Sequence, residues 1–346
     1  MAVARQFKSI IGVILIALLL SACASGVKDN TSGQNGDSGG QNTAADLNAA
    51  KSSNEKTGDA AEQTGEAAAY PRTFQHVYGV TTLEQPPVRI YAPYLEDALL
   101  TLGVTPVLKW SVGELLQDYL EPQLKDVPKI DFAGGPDAET ILASEPDLII
   151  LYSSDMAAEG RYEQYSKIAP TFVFDNAAGN WEDTLQTLGD ILDRKKEAAD
   201  GAKQYADLVA EAKEKLGPLA DGKTFAVVRM RQKELLLMDG VYFSGLTLYR
   251  DLGLTPHPMV KELSWEGHVS LSLEKLPDLD ADYIFYMIQG RDSQAAAEEL
   301  MNSFAWQSLP AVKAGHAYQV QTGHWLATGA IANAKQINDV LNDIKD

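Results

Sequence analysis

The chain has 346 residues, room for one large or two medium domains, with 45% hydrophobic and 22% charged residues, as in ordinary globular proteins. Its formal net charge of -19 argues against nucleic-acid binding, which needs a basic footprint. It also means that an anionic ligand has to be met by a few placed cations, not by the overall field.

Arg5 and Lys8 precede an apolar run from Ile10 to Leu20, a charged segment followed by a hydrophobic one of signal-peptide length. The run ends in Leu20-Ser21-Ala22-Cys23, which resembles the lipobox of bacterial lipoproteins. In that motif the cysteine is lipidated and becomes the first mature residue. Cys23 is the only cysteine, so no disulfide forms within the chain. The other reading is an uncleaved anchor, since Ser9 to Val27 is uncharged and nearly long enough to span a bilayer. Either reading places the remainder outside the cytoplasm, tethered to a cell membrane. Residues 23–70 then form the lipidated Cys23 and a spacer of Gly, Ser, Asn, Ala, Thr and Gln, too poor in apolar residues to offset its ordering entropy. A coil of about 46 residues has a reach of roughly 35–40 Å.

From Tyr70 onward, apolar runs alternate with helical patterns. Val88 to Tyr91 reads as a strand, Leu95 to Leu102 as a helix stopped by Gly103, and Pro106 to Lys109 as a second strand. Asp147 to Tyr152 and Thr171 to Phe174 read as buried strands. The alternation predicts α/β units with mostly parallel sheets. Asn180 is placed to cap a helix whose first turn holds Glu182 and Asp183, where the helix dipole favours anions. Leu185, Leu188, Ile191 and Leu192 share its apolar face. A second helical pattern, from Ala199 to Leu216, ends at Gly217-Pro218. About 22 residues of helix span roughly 33 Å, enough to bridge two domains. An amphipathic helix through Ile331, Ala334, Ile337, Leu341 and Ile344 closes the chain.

Two passages repeat in the same order. Leu102-Gly103-Val104-Thr105-Pro106 returns as Leu252-Gly253-Leu254-Thr255-Pro256. Glu139-Thr140-Ile141 leads to Asp147-Leu148-Ile149-Ile150, and Glu274-Lys275-Leu276 leads with equal spacing to Asp282-Tyr283-Ile284-Phe285. Each copy of the second passage reads as a short helix, a turn and a strand entered through Asp. Two landmarks in one order predict two similar lobes. The organisation expected is a leader (1–22), the lipidated Cys23 and spacer (23–70), a first α/β lobe (71–180), a helical connector (181–217) and a second α/β lobe (218–346).

The passage from Gly134 to Tyr152 (GGPDAETILASEPDLIILY), that from Val269 to Met287 (VSLSLEKLPDLDADYIFYM), and the repeated LGxTP turn together resemble the helical-backbone class of ABC-transporter substrate-binding proteins. These bind ferric siderophores, haem or cobalamin. The resemblance covers about residues 71–346. It implies two lobes joined by one long helix, a ligand cleft between them, a monomer, and no enzymatic activity. It also implies a surface glutamate on each lobe that docks on arginines of the permease of an ABC permease–ATPase complex; position by position these fall on Glu139 and Glu274.

Within such a cleft the sharpest local pattern is Phe225-Ala226-Val227-Val228-Arg229-Met230-Arg231. Side chains alternate along a strand, so Arg229 and Arg231 share a face and invite an anion between them. At the ends of other strands stand Lys109, Trp110, Tyr91, Tyr94, Tyr152 and Ser153; Tyr242, Trp265, His268 and Trp325 lie in predicted loops. Flat aromatic faces suit a bulky chelate, although a ring taken alone is more often core or lid packing than a ligand contact. His268 and His324 are weaker candidates still, since a loop histidine is usually just solvated. Haem asks for an axial ligand, which Tyr242 or His268 could supply. Cobalamin needs no anion clamp. The five histidines show no metal-ligand spacing, so no cofactor and no directly bound metal is expected. The leading expectation is capture of a ferric siderophore for an ABC importer. An exported enzyme and a surface-interaction lipoprotein are the readings from other classes; there is no GxSxG, and nothing singles out a catalytic carboxylate pair.

Overall fold

In the computed structural model, which describes residues 69–345 apart from 114, 134 and 264–267, the short apolar runs become strands of two lobes. The expected leader, Cys23, the spacer up to residue 68 and Trp265 lie outside the described residues. The first lobe opens with a hairpin, β1 (Arg72–His76) against β2 (Gly79–Leu83), that the sequence pattern did not announce. β3 (Ile90–Tyr91), β6 (Leu148–Leu151) and β7 (Thr171–Val173) form one parallel sheet in the order β3-β6-β7. β4 (Lys109–Ser111) and β5 (Lys129–Asp131) form a parallel pair, so the second strand starts three residues later than Pro106.

The second lobe holds a six-stranded sheet. β8 (Thr224–Arg231) and β12 (Tyr283–Gln289) run parallel at its centre, with β13 (Ala317–Gln319) parallel beyond β12. β10 (Thr255–Pro256) also pairs parallel with β8. On the other side β9 (Glu234–Met238) folds back antiparallel from β8, and β11 (His268–Ser270) follows antiparallel, so this sheet is mixed. A tight turn after Arg231 permits the antiparallel return, whereas parallel partners need longer crossovers.

Between the lobes run helices Trp181–Ile191, capped by the Asn180 side chain accepting from the Asp183 amide at 3.3 Å, and Lys195–Ala220. The second has 26 residues and takes Pro218 into its last turn instead of stopping at it. Helix Ala330–Asp343 packs along it. One apolar core runs through both lobes and this connector: Leu99 and Leu185, then Tyr205 and Leu216, then Phe225, Phe285, Trp325 and Ile337. Smaller cores fill each lobe separately. Asp97 ties the ends together. Its carboxylate accepts the amides of Ile331 at 3.1 Å and Ala332 at 2.8 Å, at the start of the last helix, where the dipole favours an anion. Among the described residues no helix is long and apolar enough to cross a membrane.

Candidate functional site

The carboxyl ends of β8 and β12 lie side by side, with Arg229 opposite Met287 and Arg231 opposite Gln289. Such strand ends are where α/β folds open a crevice. Arg229 and Arg231 do share a face, alternating with buried Val228 and Met230. Arg229 is half-buried. Its Nε donates to Gln289 Oε1 at 2.7 Å, and its Nη2 donates to the same oxygen. Burial, and then the Arg231 charge, draw the Arg229 pKa down, but a guanidinium stays protonated.

Across from it, the first lobe presents Tyr94 and Trp110, rings edge to face at 5.1 Å. The Tyr94 hydroxyl donates to the carbonyl of Leu326 at 3.2 Å, bridging the lobes, and burial raises its pKa. The Trp110 amide donates to Glu96 Oε1 at 2.7 Å, which fixes the backbone that carries the indole. Arg229, Tyr94, Trp110, Phe243, Gln289 and Thr322 surround a cavity of about 170 Å³ between the lobes. A roomier groove of about 640 Å³ lies along the connector, but its charged lining is Glu197 and Asp200 against one cation, Lys335. Among the described residues no group of three or more His, Cys, Asp or Glu could hold a metal ion.

Several expected contacts stand elsewhere. Lys109 is 7% exposed, and its Nζ bonds Glu121 Oε2 at 2.8 Å and the Leu124 carbonyl at 2.9 Å. It precedes Trp110 on β4, so once the indole faces the cavity the lysine must face away. Tyr91 is fully buried within the first lobe. Trp325 is fully buried against Phe285, its Nε1 donating to Asp339 Oδ2 at 2.8 Å; His324 Nε2 meets the same carboxylate oxygen at 2.6 Å. Tyr152 stands behind Tyr94, ring centroids 5.2 Å apart. Tyr242 is half-buried at the lobe junction, its hydroxyl accepting from Asn176 Nδ2 of the first lobe at 3.4 Å. His268 opens β11 at the sheet's edge and is not among the residues that wall the cavity. Arg231 is more exposed than Arg229 and is paired with Glu234 at 2.7 Å. Glu139 and Glu274 are exposed, one on each lobe.

Phe243, Gln117, Gln289 and Thr322 wall the cavity without having been singled out. Gln289 left a signal: it ends the apolar run Tyr-Ile-Phe-Tyr-Met-Ile as Arg231 ends its own strand, and paired strands end together. Phe243 left none, since its place depends on a left-handed backbone at φ 47° after Tyr242.

Comparison with known proteins agrees with this architecture. Residues 95–322 match the family described as periplasmic binding protein. A relative in Bacillus subtilis, the "Probable siderophore-binding lipoprotein YfiY", is 31% identical over 287 residues, covering 79% of this chain and 86% of its own. The B. subtilis "Iron(3+)-hydroxamate-binding protein YxeB" is 27% identical over 283 residues, covering 79% of this chain and 84% of its own. The structure of Staphylococcus aureus SirA complexed with staphyloferrin B superposes with a TM-score of 0.67 at 27% identity, covering 79% of this chain and 98% of SirA. A match across both lobes and the connector leaves one assignment: this chain belongs to the periplasmic binding protein family.

Proposed function

We propose that this protein captures a ferric siderophore between its lobes and delivers it to an ABC permease–ATPase complex for iron uptake, acting as a monomer held on the outer face of the cell membrane by lipid on Cys23. The observation that carries the reading is the cavity itself. A half-buried guanidinium is held ready by Gln289 and faced by the rings of Tyr94, Trp110 and Phe243. Guanidinium N–H groups bond the oxygens of an iron chelate, and the rings cover its apolar rim. Relatives named as siderophore-binding and iron(3+)-hydroxamate-binding proteins support the same ligand class. Glu139 and Glu274 are the contacts proposed for the permease.

The test is to titrate the purified protein with ferric siderophores, their iron-free forms, haem and cobalamin while following tryptophan fluorescence, since Trp110 walls the cavity. Saturable quenching by a ferric chelate is expected, weakened roughly tenfold or more in Arg229→Ala through loss of a charge-assisted contact. A response to haem or cobalamin alone overturns the ligand; no response to any of them overturns transport binding as a whole.

A further inference from the structure

We infer that the chelate accepted by this cleft carries little net negative charge, as a ferric trihydroxamate does, and is not a trianionic tris-catecholate; the inference rests on the ferric-siderophore reading above. Three cations were candidates to neutralise a ligand, and the structure leaves one. Lys109 is turned inward and paired with Glu121. Arg231 is paired with Glu234. A ligand that drew Arg231 away would release a carboxylate three residues along, so the pair contributes no net charge whichever way its side chains turn.

Arg229 differs because its partner is an amide. The Gln289 oxygen orients the guanidinium through Nε and Nη2 yet carries no charge to cancel. A glutamate there would hold the arginine equally well and abolish the site's positive charge. Among the described residues that wall the cavity, Arg229 is the only charged one. The other polar side chains there, Gln117, Gln289 and Thr322 with the Tyr94 hydroxyl and the Trp110 indole, are all uncharged and suit neutral acceptors and donors. Among the described residues no cation stands behind the wall at the Trp110 amide, whose partner is the buried carboxyl of Glu96, and the whole chain stands at -19.

The chemistry of the chelates then decides. Three singly charged hydroxamates cancel the charge on Fe(III). Three doubly charged catecholates leave three negative charges, of which this site answers one. The others would sit beside low-dielectric walls, where uncompensated charge is costly.

The experiment titrates purified wild-type protein with ferrioxamine B, a ferric trihydroxamate, and with ferri-bacillibactin, a ferric tris-catecholate, by tryptophan quenching. Ferrioxamine B is expected to bind at least about tenfold more tightly. Glu234→Gln, which frees Arg231, is expected to strengthen the tris-catecholate about tenfold and to give no strengthening of the trihydroxamate. Equal or tighter binding of the tris-catecholate by the wild type overturns the charge assignment while keeping the siderophore reading. Failure of every ferric chelate to bind a natively folded protein, judged by circular dichroism, overturns that reading and the inference with it.

Discussion

Lys109 and Arg229 look alike in the sequence, each a cation near the end of an apolar strand, yet one is sealed against Glu121 and the other faces a cavity. The strand period separates them only when one neighbour's direction is known: Trp110 toward the cleft sends Lys109 away. Depth is the harder property. Tyr91 and Trp325 carry the same aromatic chemistry as Tyr94 and Trp110 but lie wholly inside. Fully burying a large apolar side chain contributes about 1.5–3 kcal/mol, so packing competes with binding for every ring. The buried acid behind the site makes a prediction at this scale. Burial pushes Glu96 from its ordinary 4.5 up to about 7; the Trp110 amide pulls the other way and Asp97 adds to the rise. A folded pKa above the unfolded one means that the native state holds the proton more tightly. Its contribution is therefore present below about pH 4.5 and is lost as pH rises through about 7, an effect of at most about 3 kcal/mol. In Glu96→Gln, which keeps an oxygen for the Trp110 amide, this loss should vanish. Urea unfolding from pH 5 to pH 8 should show the wild type falling relative to the variant; a wild type that holds or gains stability relative to the variant over that range would contradict the burial argument.

At the scale of elements the repeat was legible because its landmarks are local devices. Gly103 and Gly253 take nearly equal left-handed conformations, φ 72° and 73°, and each ends a helical stretch. Asp147 accepts the amides of Val88 at 2.8 Å and Arg89 at 2.9 Å; Asp282 accepts that of Thr224 at 2.9 Å. In each lobe an aspartate at the start of one strand thus holds the start of its parallel neighbour. The copies diverge before it: Glu139 opens a true helix, Ala138–Ala143, whereas Glu274 stands in a turn before a single 3₁₀ turn, Leu276–Asp278. Pro277 lies inside that turn and has no amide to donate, whereas the corresponding stretch of the first lobe, after Ile141, holds no proline until Pro146. Space is open around both glycines, with Lys213 Cε at 3.7 Å the nearest atom that an added Cβ would meet. Gly103→Ala and Gly253→Ala should therefore each cost only the backbone penalty, about 1 kcal/mol. Equilibrium urea unfolding measures it; a cost of several kcal/mol in either variant would point to a packing role instead.

At the scale of the molecule, one core shared by both lobes and the connector limits how far the lobes can move on a ligand, and a helix of 26 residues is a stiff link. A permease would then meet two surfaces held at a nearly constant separation, one carrying Glu139 and the other Glu274. The double variant Glu139→Arg/Glu274→Arg should abolish uptake of radiolabelled ferric ligand by cells while its affinity in solution stays within about twofold, since both residues are exposed surface charges. Normal uptake by that variant would remove them from docking. The sequence by itself determined the alternation of elements, the duplicated landmarks, the helical connector and the shared face of Arg229 and Arg231, because each follows from spacing within a few residues. Only the tertiary structure decided which cation stays free and which rings face the cavity. Those outcomes depend on partners far along the chain: Gln289 for Arg229, 60 residues away, and Leu326 for Tyr94, 232 residues away. Contacts of that range are set by how whole lobes pack, which no local period encodes.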